Sequence, residues 1–216
     1  MPFETFLRLP EDKKNMIIRH GLMEFSVKNY QDANTDVIIK ACGISKGSLY
    51  HYFGNKKSFY LFLLSHSLMV FENMNKGNFT EAGTFYDVLF EDLDLKLSMY
   101  QTHPLEIAFL TITAREQCGE VSPDKDKLLR ASMERARQKY LSTLKAAIFH
   151  LALKKSADPI MVLKGLTLYI DAIRTGYLEQ YHDKPYAFFE NKELVKQEIK
   201  SYVDLLLHGV LKEEAK

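Results

Sequence analysis

Between Ser45 and Lys56 the chain gathers side chains that suit recognition of phosphates and base edges: Ser45, Lys46, Ser48, Tyr50, His51 and Lys56. Hydroxyls and imidazoles donate and accept hydrogen bonds, lysine carries a mobile cation, and tyrosine sets a hydroxyl on a flat apolar body. A nucleic-acid duplex calls for this mixture, because phosphate contacts bring affinity and register while base contacts bring sequence preference. No catalytic spacing competes with it. The histidines at 20, 51, 66, 103, 150, 182 and 208 form no HExxH pair, and there is no Gly-x-Ser-x-Gly elbow, phosphate loop or dinucleotide fingerprint. Cys42 and Cys118 are two lone thiols far apart, with neither a disulfide framework nor a metal-ligand spacing. They are expected to be buried and free in a reducing cytoplasm, and no metal or cofactor is expected.

Those side chains need a scaffold, and residues 34–56 read as two short helices joined by a tight turn. Asn34 or Thr35 caps the first helix, since either side-chain oxygen accepts a bond from an orphan N–H. Ile38, Ile39 and Cys42 are its apolar residues, and Gly43 sits where the helix must stop in the left-handed conformation. Ile44 follows as an apolar plug, and Ser45 caps a second helix running through Phe53. At about 100° per residue, Leu49 and Phe53 share the inward face with Tyr52 beside them. Gly47, Ser48, Tyr50 and His51 point the other way, with Gly47 allowing close backbone approach. A helix–turn–helix with glycine in its turn places its second helix in the DNA major groove. The expected DNA-binding set is Asn34, Thr35, Ser45, Lys46, Gly47, Ser48, Tyr50, His51 and Lys56.

The stretch resembles the DNA-binding domain of the tetracycline-repressor (TetR) family of bacterial transcription regulators. The resemblance rests on Phe25, Tyr30, Ile38, Ala41, the run Gly43-Ile44-Ser45-Lys46-Gly47-Ser48-Leu49-Tyr50-His51-Tyr52-Phe53, and Lys56. It covers about the first quarter of the chain. Asn29 departs from the pattern where glycine is common, Ala33 where threonine often caps the first helix, and Cys42 where alanine is usual. The Ala33 departure assigns the cap to Asn34. What the resemblance implies is a homodimer on operator DNA, an effector held in the body, and repression as the sign of control.

At 216 residues with 46% hydrophobic content, the chain can bury a sizeable core. Its net charge of +1 gives no global pull toward nucleic acid. Residues 1–57 carry nine bases (Arg8, Lys13, Lys14, Arg19, Lys28, Lys40, Lys46, Lys56, Lys57) against six acids (Glu4, Glu11, Asp12, Glu24, Asp32, Asp36), a balance of +3. That asymmetry permits a DNA-binding head without indicating one. No basic segment followed by an apolar run opens the chain, so no signal peptide is expected. Lys164, Asp171 and Arg174 interrupt the best membrane-span candidate. The expected location is the cytoplasm.

The fold expected is all-α, with a three-helix DNA-binding head over 1–57 and a helical effector-binding and dimerisation body over 58–216. Helical periodicity places helices at 11–28, from 55 or 56 to about 77, and at 84–101, 104–118, 124–154, 159–181 and 191–211. The family resemblance implies that the N-terminal end of the first of these approaches phosphates, which makes Lys13 or Lys14 a candidate for that contact. Gly77-Asn78, Gly83 and the segment around Pro185 read as loops. The last two helices are the natural dimer interface, through Leu163, Leu166, Ile170, Ile173 and Tyr177 on one and Val195, Ile199, Tyr202 and Leu206 on the other. Gly165, Ala172 and Gly176 permit close approach there.

The middle helices are rich in aromatic and methionine side chains suited to a mostly apolar small-molecule pocket: Phe85, Phe90, Tyr100, Phe109, Met133, Tyr140 and Tyr169, with Arg115 and Arg174 as polar fixers. Two rival readings stand beside this one. In one, the same DNA-binding fold answers to a protein partner. In the other, the chain is an all-α enzyme whose catalytic residues lie far apart in sequence.

Overall fold

The computed structural model describes residues 4–74, 84–180 and 192–208. These residues form ten helices and no strand: α1 Glu4–Leu7, α2 Glu11–Phe25, α3 Thr35–Cys42, α4 Lys46–Phe53, α5 Lys56–Met74, α6 Phe85–Thr102, α7 Pro104–Arg115, α8 Ser122–Phe149, α9 Pro159–Gln180 and α10 Lys192–Leu207. The all-α expectation holds. By packing, the chain divides into two compact units, residues 1–77 with 98–137, and 78–97 with 138–216. This division follows contacts rather than roles, and the first unit extends well beyond residue 57.

The first unit is built on aromatic rings. Phe25 of α2 meets Tyr60 of α5 at 5.1 Å between centroids and Phe109 of α7 at 6.4 Å. Phe53 of α4 lies 4.5 Å from Phe59 and 5.1 Å from Phe62. Each such ring, fully buried, contributes about 1.5–3 kcal/mol of transfer free energy. Helices α2 and α5 can cross this closely because Gly21 has no side chain. A Cβ there would lie 2.6 Å from Phe59 Cζ and 2.8 Å from Leu63 Cδ1.

Helix α5 is apolar over much of its circumference, as read from sequence, and buries Phe59, Tyr60, Leu63, Leu64 and Ser67. The one-turn helix α1 has no periodicity to read. It exists because Phe6, 2% exposed, inserts against Phe53 at 4.8 Å.

The second unit packs Phe85 and Val88 of α6, Leu144 and Ile148 of α8, Leu166 of α9 and Val203 of α10 into one core. Polar ties join α6 to α10: the Tyr86 hydroxyl donates to the Asp204 carboxylate, and Lys196 Nζ donates to Asp94 Oδ2 at 2.6 Å.

Several boundaries shift. The helix expected over 11–28 ends at Phe25, where Ser26 N–H closes on Leu22 O. The helix expected over 104–118 ends at Arg115, because Glu116 turns extended (φ −64, ψ 127). The helix expected over 124–154 runs from Ser122 to Phe149. The loops expected at Gly77-Asn78, Gly83 and Pro185 lie outside the described residues.

The residues expected to form the dimer stripe differ in exposure. Leu166 and Val195 are buried, and Leu163, Ile170 and Ile199 pack against the core of their own unit. Ile173 is half-buried, and the Tyr177 side chain lies outside the described ones. Only Tyr202 and Leu206 are exposed. The opposite faces are the open ones. On α9, Met161 and Leu168 are each 72% exposed, and Cβ atoms added at Gly165 or Gly176 would meet nothing within 4 Å. On α10, Leu194 is 61% and Leu205 70% exposed. Periodicity finds an apolar stripe but does not say whether the same chain or another covers it.

Candidate nucleic-acid interface

The Asn34 side chain accepts from Asp36 N–H at 2.9 Å, which makes it the α3 cap that the Ala33 departure assigned to it. At the other end Gly43 adopts φ 58 and ψ 40, in the left-handed region. Its N–H reaches Lys40 O and the N–H of Ile44 reaches Ile39 O, so the turn satisfies two orphan carbonyls at once. Ser45 Oγ then accepts from Ser48 N–H at 3.0 Å and caps α4.

The faces of α4 fall as the spacing predicted. Leu49 and Phe53 are 2% exposed, while Lys46, Gly47 and His51 face solvent and Ser48 and Tyr50 are half-buried. Nothing but Ser45 Oγ, at 3.7 Å, stands near a Cβ added at Gly47. Lys46 reaches Asp36 Oδ1 at 3.2 Å in an exposed pair of little energetic weight, so its ammonium is easily redirected. Thr35 is buried, and Ser48 Oγ shares a hydrogen bond with Ser45 Oγ at 2.8 Å.

Two lysines do other work. Lys56 Nζ donates to Ala33 O at 2.6 Å and Gln31 O at 3.2 Å and lies 4.9 Å from the Tyr30 ring centroid. It braces the connection before α3 from beneath. Lys13 Nζ donates to Cys42 O at 2.8 Å and so closes the C-terminus of α3, while Lys14 pairs with Glu11 at 2.5 Å.

Glu24 supports the same connection. Its Oε1 accepts from Asn34 N–H and from Lys28 Nζ, both at 2.8 Å. Burial alone would push this carboxyl up, but the Asn34 N–H and the Lys28 ammonium outweigh it and hold the group below its ordinary 4.5. A folded-state value below the unfolded one gives stability that is complete above about pH 4.5 and fades as pH falls through the folded value. Acid unfolding followed by circular dichroism is expected to begin below pH about 4.5, with part of the slope removed in Glu24→Gln. An identical acid slope in that variant would count against the linkage.

Residues 17–61 match the family described as bacterial regulatory proteins, tetR family. This stretch, which holds α3, α4 and their turn, is a tetR-family DNA-binding domain. The transcriptional regulator AcuR of Cereibacter sphaeroides is 46% identical over 48 residues, which make up 22% of this chain and 22% of that protein. The chain thus spans about a fifth of the length of that curated relative.

Over the whole chain the likeness is one of fold. A TetR family transcriptional regulator from Chloroflexus aurantiacus, 19% identical, superposes with a TM-score of 0.64 over 99% of this chain and 100% of its own. SmeT, the repressor of the Stenotrophomonas maltophilia multidrug efflux pump SmeDEF, is 15% identical with a TM-score of 0.59, covering 94% of each chain.

Within this tetR-family domain the departures from the family pattern have local explanations. Asn29 stands where glycine is common, yet no described residue other than glycine has positive φ. Its side chain instead accepts from Asp32 N–H at 2.9 Å and shapes the turn itself. Cys42 is buried in the core, where its thiol, pushed up by burial, behaves as a small apolar group.

The nine effector-pocket candidates are divided between the two units. Phe109 belongs to the aromatic core of the first unit, with no exposure. Met133 is 65% exposed, and Arg115 is exposed at the end of α7. Tyr100 is half-buried in the first unit. Phe85, Phe90 and Tyr140 share the second unit's apolar cluster, and Tyr169 is half-buried on α9. The Arg174 side chain lies outside the described ones. A cleft of about 160 Å³ in the first unit is lined by Ser65, Leu68, Met69, Glu72, Leu128, Ala131 and Arg135. Among the described residues no three His, Cys, Asp or Glu side chains could hold a metal ion, and no helix is long and apolar enough to cross a membrane.

Proposed function

We propose that the chain is a homodimeric, sequence-specific repressor that grips a palindromic operator through α4 and releases it when a small, partly apolar molecule binds the body. The observation that carries this reading is the solvent face of α4. Lys46, Gly47 and His51 face solvent with Tyr50 half-buried beside them, on a helix capped by Ser45. Dimerisation follows from geometry, since two reading helices must meet half-sites about 34–36 Å apart. The outward faces of α9 and α10, around Met161, Leu168, Leu194 and Leu205, suit that pairing.

On this reading the effector enters the second unit among Phe85, Phe90 and Tyr140. Effector and operator then weaken each other by the same factor. The description of SmeT as a repressor supports the sign of control. The reading requires a cytoplasmic location, a regulatory rather than enzymatic role, and no cofactor.

The test is selection of duplexes from a random-sequence library by the purified protein, followed by titration of the winner in salt. Two protomers per duplex are expected. Tyr50→Ala should weaken binding to all sequences alike, while Ser48→Ala and His51→Ala should also change base preference, each by about 1–3 kcal/mol. Lys56→Ala should lower stability and affinity together, because its ammonium holds Ala33 and Gln31. If no variant shifts affinity or preference, α4 is not the reading helix.

A second reading replaces the effector by a protein partner. The observation in its favour is a row of exposed apolar side chains along α2 and just past its end, Met16, Met23 and Val27. Operator release by a small molecule alone would eliminate that version.

A further inference from the structure

We propose that the corner between α7 and α8, residues 116–121, positions the reading helices through Tyr30, with Glu116 and Glu120 as positioning residues. The inference rests on α4 being the DNA-reading helix.

Tyr30 lies in the connection from α2 to α3, four residues before the Asn34 cap. The corner holds it at both ends. Its backbone N–H donates to Glu116 Oε2 at 2.6 Å, and its hydroxyl donates to Glu120 Oε1 at 2.7 Å. The ring between those two bonds is stacked on Phe25 at 9° and set edge-on to Tyr60 at 5.3 Å. From the other side Lys56 binds the carbonyls of Gln31 and Ala33. Residues 30–34 therefore have little room to move unless the corner moves.

The corner is itself prepared for the task. Glu116 Oε1 accepts from Cys118 N–H at 2.8 Å, so the carboxylate is spread over two backbone donors. Lys125, 2% exposed, donates Nζ to Glu116 O at 2.7 Å, and Ser122 Oγ donates to Cys118 O at 2.9 Å. A buried carboxylate and a buried ammonium are costly to desolvate, and an apolar corner would be cheaper. What these groups supply and apolar packing does not is one fixed direction for each hydrogen bond. Lys57 pairs with Asp124 at 2.7 Å, a second tie from the reading head to the start of α8. Helix α8 begins at Ser122, directly after the corner, so the corner's bonds tie the first turn of α8 to Tyr30.

The experiment measures dissociation constants for the library-selected duplex and for random duplex, well below each variant's melting temperature. The variants are Tyr30→Phe, Glu120→Ala, Glu120→Gln and the double Tyr30→Phe/Glu120→Ala, with Tyr50→Ala as reference. Tyr30→Phe and Glu120→Ala are each expected to weaken operator binding about five- to tenfold, as loss of one ordinary hydrogen bond to an exposed carboxylate implies. Random-duplex affinity and the salt slope should not change. Glu120→Gln should recover most of the loss, since its amide oxygen still accepts. The double variant should be no weaker than either single, because both remove the same bond.

Parental operator affinity in both folded single variants, or losses that add in the double, would overturn the inference while Tyr50→Ala still weakens binding to all duplexes. If Tyr50→Ala leaves operator binding intact, the reading of α4 falls and this inference falls with it.

Discussion

Phe109→Ala is expected to lower stability by about 3–5 kcal/mol, the range for truncating a fully buried ring. The residue has no exposed surface and packs on Phe25 at 6.4 Å and Tyr60 at 5.3 Å. Four residues on, Thr113 takes the Tyr60 hydroxyl at 2.9 Å in a bond whose phenol burial pushes up to about 12, so it stays a donor throughout the accessible pH range. Removing the ring leaves a cavity against side chains that cannot collapse into it, because Gly21 already lets α2 and α5 touch. Against total stabilities of about 5–15 kcal/mol the loss is severe. Urea unfolding measures it directly. A residue lining an effector pocket would instead change effector affinity at little cost to stability, so a loss below about 1 kcal/mol would return Phe109 to the pocket.

The second large effect concerns pairing. If α9 and α10 pair two protomers as proposed, Leu168→Lys combined with Leu205→Lys is expected to give monomers in sedimentation and to weaken operator binding at least about a hundredfold. Both leucines are about as exposed as surface residues in this chain (72% and 70%), so the substitutions should not disturb the fold of the unit. In a two-fold interface each protomer contributes the same patch, and every introduced ammonium enters it twice. An unpaired charge buried in such a contact costs about 3–5 kcal/mol, and tenfold in affinity corresponds to about 1.4 kcal/mol. Leu166→Ala is the contrast. It faces its own core, so it should lower the unfolding midpoint and leave the dimer in place at temperatures where the chain is folded. A double-lysine variant that still sediments as a dimer would move the interface elsewhere.

The reading head was legible because its signals are local. Asn34, Gly43 and Ser45 each act on backbone groups within four residues, so residue type and spacing suffice to assign the caps and the turn. Helix number followed from period for the same reason.

What stayed hidden depends on distance along the chain or on a choice between equals. Tyr30 meets Glu116 and Glu120 across 86 and 90 positions, and no spacing rule links them. Lys56 looked like a phosphate ligand because a lysine beside a reading helix usually is one, yet two carbonyls upstream claim it. On α9 the stripe through Leu163, Leu166 and Ile170 is the more regular one, and regularity marks burial, not the partner that provides it. The corner residues could have been suspected only from acids placed next to an apolar helix end.

The unit that holds the reading helices is assembled from two stretches, 1–77 and 98–137, with a different unit's residues threaded between them. That limits how such a regulator can be recombined. A hybrid joining residues 1–57 to a foreign sensing body would strip Phe25 of Phe109 and Tyr30 of both its carboxylates. The exchangeable part is the pair of stretches together, and a crossover that separates them gives up these contacts.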